Sequence, residues 1–222
     1  MSLATQRPAR PDTDPPRRRI LDAAVRCFAR SGFHGASMHE ICSQAEMSPG
    51  ALYRHFPSKD AIIEAIAGEE RERNRHFFAQ LEVEERLLET LLDVGFRWMR
   101  DVVARDGTAL CAEVLSEAQR NPKIRDIFEK NLREVRDAIK QALTRARDQG
   151  EIDTKLDLEI VTTVILAIGD GLIVRLPFEP DMTPDRIEPS LRDLIRRMLA
   201  PVQPASTGST QPTQPASSRN QT

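Results

Sequence analysis

Three observations predict an all-α chain. Apolar residues recur at helical spacing in one segment after another, glycine is sparse at 10 in 222 residues, and runs of β-branched residues are rare. About nine helical patterns follow one another. They divide into a small N-terminal three-helix unit containing a helix-turn-helix and a larger C-terminal helical domain.

The first pattern spans residues 17–31, with Ile20, Ala23, Ala24, Cys27 and Phe28 at helical spacing, and Gly32 follows as a left-handed stop. The second, 37–45, opens with Ser37 and Glu40 in capping-box spacing and carries the stripe Met38, Ile41, Cys42 and Ala45. In the third, 48–56, Ser48 caps the start, Pro49 takes the first helical position where a missing N–H costs nothing, and Pro57 ends the helix. The fourth begins at Ser58 and runs to about Leu81, strongly charged toward its end. Longer patterns cover 83–105, 107–119, 121–149, 155–176 and 184–200, separated by Gly107, Asn121-Pro122, Gly150 and the stretch PFEPDMTP. No internal repeat is present.

Residues 1–16 are Pro-rich and polar, and 201–222 are rich in Pro, Ser, Thr and Gln; both are expected to be disordered, for want of apolar surface to bury. The expected domains are therefore 17–62 and 63–200. No stretch reaches the 18 or so uninterrupted apolar residues of a membrane span, and the N-terminus has no apolar core of a secretory signal. A cytoplasmic protein with no membrane partner is expected. Cys27, Cys42 and Cys111 are widely spaced, with no C-x-x-C pair, and read as reduced residues rather than disulfides or metal ligands.

The net charge of −2 conceals an asymmetry: residues 1–60 hold nine Lys/Arg against six Asp/Glu, and the remainder 23 against 28. That is the sign expected of a basic module on an acidic body. No Gly-rich phosphate loop, H-E-x-x-H, G-x-S-x-G or Cys/His ligand cluster occurs, so neither catalysis nor a cofactor is expected. The glycines of the GDG at 169–171, inside the apolar run IVTTVILAIGDGLIV, read as sites of close helix–helix packing.

On a helical wheel of the third helix, Leu52 and Phe56 face one way, and Gly50, Ala51 and Arg54 the other, with Tyr53 and His55 on the flanks. A bare outer face lets a helix approach another surface closely, and arginine can fork onto guanine in the major groove. Two short helices across the turn AEMS have helix-turn-helix spacing, with the second helix placed to read bases. Tyr53 and His55 would reach the flanking phosphates, although Tyr53 can also be read as an aromatic bracing Phe56. Lys59, at the start of the fourth helix, adds positive charge suited to a phosphate.

Residues 18–65 resemble the DNA-binding domain of the TetR family of bacterial regulators, in its AcrR-like branch. The resemblance rests on the AA…F…G-F spacing of the first helix, the Ser-opened second helix and G-x-L-Y-x-H-F-x-x-K at 50–59. It implies phosphate contacts by Tyr53, His55 and Lys59, with Ser37 capping its helix and touching a phosphate. It places His39, Ser48, Gly50, Ala51 and Arg54 in the groove. Arg17, Arg18 and Arg19 match nothing invariant but are available to the DNA backbone.

An effector pocket is expected among residues 83–149, lined by Phe96, Trp98, Met99, Leu110, Cys111, Val114, Leu115 and Phe128, with Gly95 making room. Glu113, Glu117, Arg97 and Asp101 would supply polar specificity. The last two helices are expected to form the homodimer interface, as the family uses them, through Ile165, Ile168, Gly169, Leu172, Leu191, Leu194, Ile195 and Met198. Interior helices of a monomer would carry the same pattern. The function expected is a repressor that binds a palindromic double-stranded DNA operator as a homodimer and answers to a small-molecule effector. The alternatives are a ligand-independent DNA-binding protein of this fold with a chromosome or cell-division role, and an activator.

Overall fold

The computed structural model describes residues 14–82 and 85–201, which contain nine α-helices, two short 3-10 segments and no strand. The helices are α1 (Pro15–Gly35), α2 (Met38–Gln44), α3 (Pro49–His55), α4 (Lys59–Phe78), α5 (Leu87–Ala104), α6 (Thr108–Ala118), α7 (Pro122–Asp148), α8 (Leu158–Arg175) and α9 (Pro184–Leu199). The segments expected to be disordered, apart from residues 14–16 and 201, lie outside the described residues. Helix α1 starts two residues earlier than its apolar pattern, because Pro15 and Pro16 occupy first-turn positions whose N–H groups have no helical partner anyway. It breaks at Gly32, whose φ of +70° and ψ of 170° admit essentially glycine alone, and Phe33–Gly35 form a further turn.

Helices α1 to α3 and the first turns of α4 enclose a core of Ile20, Phe28, Ile41, Leu52, Phe56 and Ile62. Phe28 and Phe33 meet edge to face with centroids 4.9 Å apart. Ala118 and Ile124 belong to the same core, so the division expected at residues 62/63 is no gap in the packing. Helix α6 lies along α1, and α4 along α7. A second core gathers Leu87, Leu91, Leu143, Ile152, Leu158 and Leu199 from α5, α7, α8, α9 and the connection before α8. The segment Leu158–Phe178 is long and apolar enough, by length and composition, to cross a membrane, although Thr162, Thr163 and Asp170 interrupt it. Its two apolar faces have separate uses, described below.

Candidate functional site

Serine hydroxyls open three successive helices. Ser37 Oγ accepts from the Glu40 amide at 3.1 Å, Ser48 Oγ from the Ala51 amide at 3.3 Å and Ser58 Oγ from the Ala61 amide at 3.2 Å. The Glu40 carboxylate does not reach back to close a capping box. It accepts instead from Arg30 at 2.5 Å and from the Ser31 hydroxyl at 3.4 Å, tying α2 to α1, and Arg30 holds its carboxyl below the usual range.

Between α2 and α3, Glu46 adopts a left-handed φ of +54°. Arg19 donates to the Ala45 carbonyl at 2.7 Å and to that of Glu46 at 3.3 Å, pinning the turn to α1. The other two arginines of the triplet are also engaged. Arg17 donates to Glu69 at 3.2 Å and lies 5.4 Å above the Phe56 ring, while Arg18 holds Asp22 and Glu69. The triplet thus fastens α1 to α4 and to the turn. Replacing Glu46 with glycine should raise the unfolding free energy by about 0.5–1 kcal/mol and leave DNA affinity unchanged, because the Arg19 contacts there go to backbone oxygens. Denaturant titration beside a binding assay checks this.

The outward side of this unit carries Ser37, His39, Ser48, Pro49, Gly50, Tyr53 and Arg54, all exposed. Tyr53 retains 51% of its accessible surface. A Cβ added at Gly50 would meet nothing within 4 Å, so the packing of the chain itself does not require glycine there. Ala51 is half-buried, and so is His55, whose Nδ1 lies 3.4 Å from Asp14 Oδ2 beyond the start of α1. Lys59 is placed differently from a free cation. Its ammonium donates to the carbonyls of Phe33 and Ala36, the latter at 2.9 Å, and so closes the end of α1.

A cavity of about 310 Å³ lies among α4, α5, α6, α7 and α8, with Phe33 of α1 at one end and Leu191 and Ile195 of α9 also in its wall. All eight residues expected to line a pocket, from Phe96 and Trp98 through Phe128, line this one, as does Gly95. The four polar residues expected with them do not. Arg97 donates to the Asp93 carbonyl, Asp101 holds Arg105, and Glu113 and Glu117 face α1. The polar groups in the wall are Glu70, Asn74, Arg105, Asn131 and Asp170, none of which the sequence singles out for this place. Burial pushes the Glu70 carboxyl up, but Arg105 and Arg73 together pull it below its ordinary value. The Cys111 thiol is pushed up to about 12, chiefly by burial and further by Glu70 and Asp170.

One face of α6 lines the cavity through Leu110, Cys111, Val114 and Leu115, and another grips α1. Glu113 Oε1 accepts from the Phe33 amide at 2.8 Å. Glu117 is fully buried, with Oε1 2.7 Å from His34 Nε2 and 3.1 Å from the Asn121 amide nitrogen, while Oε2 accepts from Arg120 at 2.9 Å. Burial raises the Glu117 carboxyl, and these partners outweigh it to leave a net lowering. The sequence offers no signal for these contacts, since residues 80 or so apart meet only in the fold.

The eight residues expected at a dimer interface fall into distinct places. Ile165, Ile168, Gly169, Leu191 and Ile195 line the cavity, and Leu172 packs with the cluster of Met99, Val102 and Ile173. Leu194 and Met198 are exposed on α9, beside exposed Ile160 and Val164 on α8. A helix apolar around its circumference gives no periodic signal to separate a cavity face from an outward face. The GDG glycines do not bring helix backbones together within the chain. A Cβ at Gly169 would meet Trp98 at an ordinary 3.7 Å, and one at Gly171 would meet nothing.

Residues 20–66 match the description "Bacterial regulatory proteins, tetR family", and residues 83–200 match "BetI-type transcriptional repressor, C-terminal". Among solved structures, Salmonella enterica GusR is 32% identical with a TM-score of 0.70, over 85% of this chain and 98% of its own. The HTH-type transcriptional regulator UidR of Escherichia coli is 28% identical over 192 residues, 85% of this chain and 95% of that protein. The HTH-type transcriptional repressor AcnR of Corynebacterium diphtheriae is 28% identical over 193 residues, 85% and 94% of the respective chains. The family accounts for both halves of the fold, the exposed head of α3 and the cavity behind it: this chain is a helix-turn-helix transcriptional regulator and belongs to the TetR family.

Proposed function

We propose that the chain is a repressor that binds a palindromic operator as a homodimer in the bacterial cytoplasm and releases it when a small molecule enters the cavity. The observation that carries this reading is the double role of α6, which walls the cavity with Leu110, Cys111, Val114 and Leu115 while Glu113 and Glu117 hold the end of α1. Helix α4 adds a second link: Ile63, Ile66 and Glu70 line the cavity, and Lys59 at its start holds Phe33 and Ala36. A ligand that favours a different position of α6 and α4 moves the reading head with them, and its differential affinity for the two arrangements sets the loss of operator binding. The cavity also favours this reading over a ligand-independent protein, for which a sealed interior is expected.

In the complex, α3 enters the major groove. Arg54 reads base edges, Gly50 and Ala51 permit close approach, and Tyr53, His55, Ser37, His39 and Ser48 face the adjoining backbone and groove. The dimer pairs the outward stripe of Ile160, Val164, Leu194 and Met198 with its copy, which presents two reading heads to one two-fold-symmetric site.

Gel-shift titration of a palindromic operator tests the assignment. Arg54→Ala should weaken binding about ten- to a hundredfold and relax sequence preference, with the melting temperature unchanged because the side chain is exposed. Lys59→Ala should lower affinity and melting temperature together, since its ammonium closes α1. Operator binding indifferent to both substitutions would sink the assignment.

A further inference from the structure

The polar groups of the cavity wall are not evenly used. Glu70 accepts from Arg73 at 2.7 Å and from Arg105 at 3.3 Å, and Arg105 also binds Asp101 at 2.7 Å. Two guanidinium groups and two carboxylates thus neutralise one another. Asn131 is satisfied at both ends, its Oδ1 accepting from Arg71 at 2.8 Å and its Nδ2 donating to the Ala67 carbonyl at 3.3 Å.

Two acceptors remain. Asn74 Oδ1 is buried with no hydrogen-bond partner among the described residues. Asp170, at the margin of the α8 face that lines the cavity, has neither an ion pair nor a hydrogen bond there, and burial alone pushes its carboxyl up. A buried acceptor without a donor is destabilising, and an unpaired carboxylate more so. Neither supports the fold, so both are kept at the expense of stability. The rest of the wall is apolar, with the aromatic rings of Phe96, Trp98 and Phe128 and a Cys111 thiol that stays protonated.

We propose that the effector is an amphipathic cation, with an ammonium or comparable donor-bearing head set against Asp170 and Asn74 and an apolar body among the aromatic rings. The proposal rests on the cavity's being the effector site, and it narrows that site to one ligand class. An anionic amphiphile meets no free cation in this wall, because Arg105 is held by Glu70 and Asp101. A neutral one leaves the Asp170 charge uncompensated.

Trp98 is the only tryptophan of the chain and lines the cavity, so its emission reports occupancy directly, apart from any effect on DNA. The probes are octylammonium, 1-octanol and octanoate, titrated against the full-length protein by Trp98 fluorescence and melting temperature, with operator release measured in parallel. Octylammonium should bind about ten- to a hundredfold more tightly than octanoate, the range of one hydrogen bond to a charged group. Asp170→Asn should abolish most of that preference while leaving the melting temperature unchanged or higher. Asn74→Leu should weaken octylammonium less, with little effect on octanoate.

Octanoate binding as well as octylammonium, or a preference that survives Asp170→Asn, overturns the proposal. So does an Asp170→Asn variant whose only change is in subunit association, which would assign the carboxylate to the dimer interface. If none of the probes perturbs Trp98, both the ligand class and the cavity's role fail. Tight cation binding without operator release would uphold the ligand class and defeat the effector reading alone.

Discussion

Replacing Gly32 with alanine lowers the unfolding free energy by about 2–3 kcal/mol, an effect large enough to be visible as a fall in melting temperature in any thermal scan. The backbone at φ +70° and ψ 170° lies in a region closed to side chains, and the added Cβ would stand 2.9 Å from Glu113 Oε1. The same carboxylate oxygen accepts the Phe33 amide. Relief of the clash therefore requires either a shifted α1 terminus or the loss of the contact between α1 and α6. Operator affinity should fall in the same variant, and effector response should fall further, because the altered link joins the reading head to the cavity wall. Calorimetry and gel shift on the one variant check both. A Gly32→Ala protein as stable as the parent would show that the break in α1 is not held by this geometry.

Leu194→Glu is expected to convert the protein to a monomer and to weaken operator binding by about two orders of magnitude or more, the scale of avidity lost when two linked half-sites become independent. Leu194 retains 63% of its accessible surface in the single chain, so a carboxylate there leaves the fold intact. In the proposed dimer it would bury two like charges at a self-complementary apolar surface. Sedimentation should move from twice the chain mass of 25.0 kDa to that mass itself, with an unchanged circular dichroism spectrum. A variant that remains dimeric would place the interface elsewhere.

What could be read from the sequence was what residues a few positions apart decide. Ser37, Ser48 and Ser58 cap helices because a hydroxyl reaches an amide three residues on, and Gly32 ends α1 because its own backbone angles demand it. Side-chain periodicity located the apolar wall of the cavity from Phe96 to Phe128, since α5, α6 and α7 each turn one clear stripe inward. The polar wall was not legible. Glu70 and Asp170 come from helices a hundred residues apart, and each looks like an ordinary surface charge in its own segment. The use of Lys59 was hidden in the same way, because no local pattern reveals that the carbonyls of Phe33 and Ala36 arrive beside its ammonium. On α8, apolar residues around the circumference left the cavity face and the outward face indistinguishable until neighbouring helices were in place.

Helices α2 and α3 are seven residues each, about half the length at which an isolated helix becomes marginal in water. Neither has a helical life of its own; both exist as long as Ile41, Leu52 and Phe56 remain docked on α1 and α4, with Arg19 fastening the turn between them. The two helices consequently open and close as a single cooperative unit with the N-terminal core, and partial fraying of α3 alone is not a low-lying state. A signal that loosens α1 thus dissolves the contact surface as a whole, which lets a regulator discharge its DNA by local melting as well as by rigid displacement.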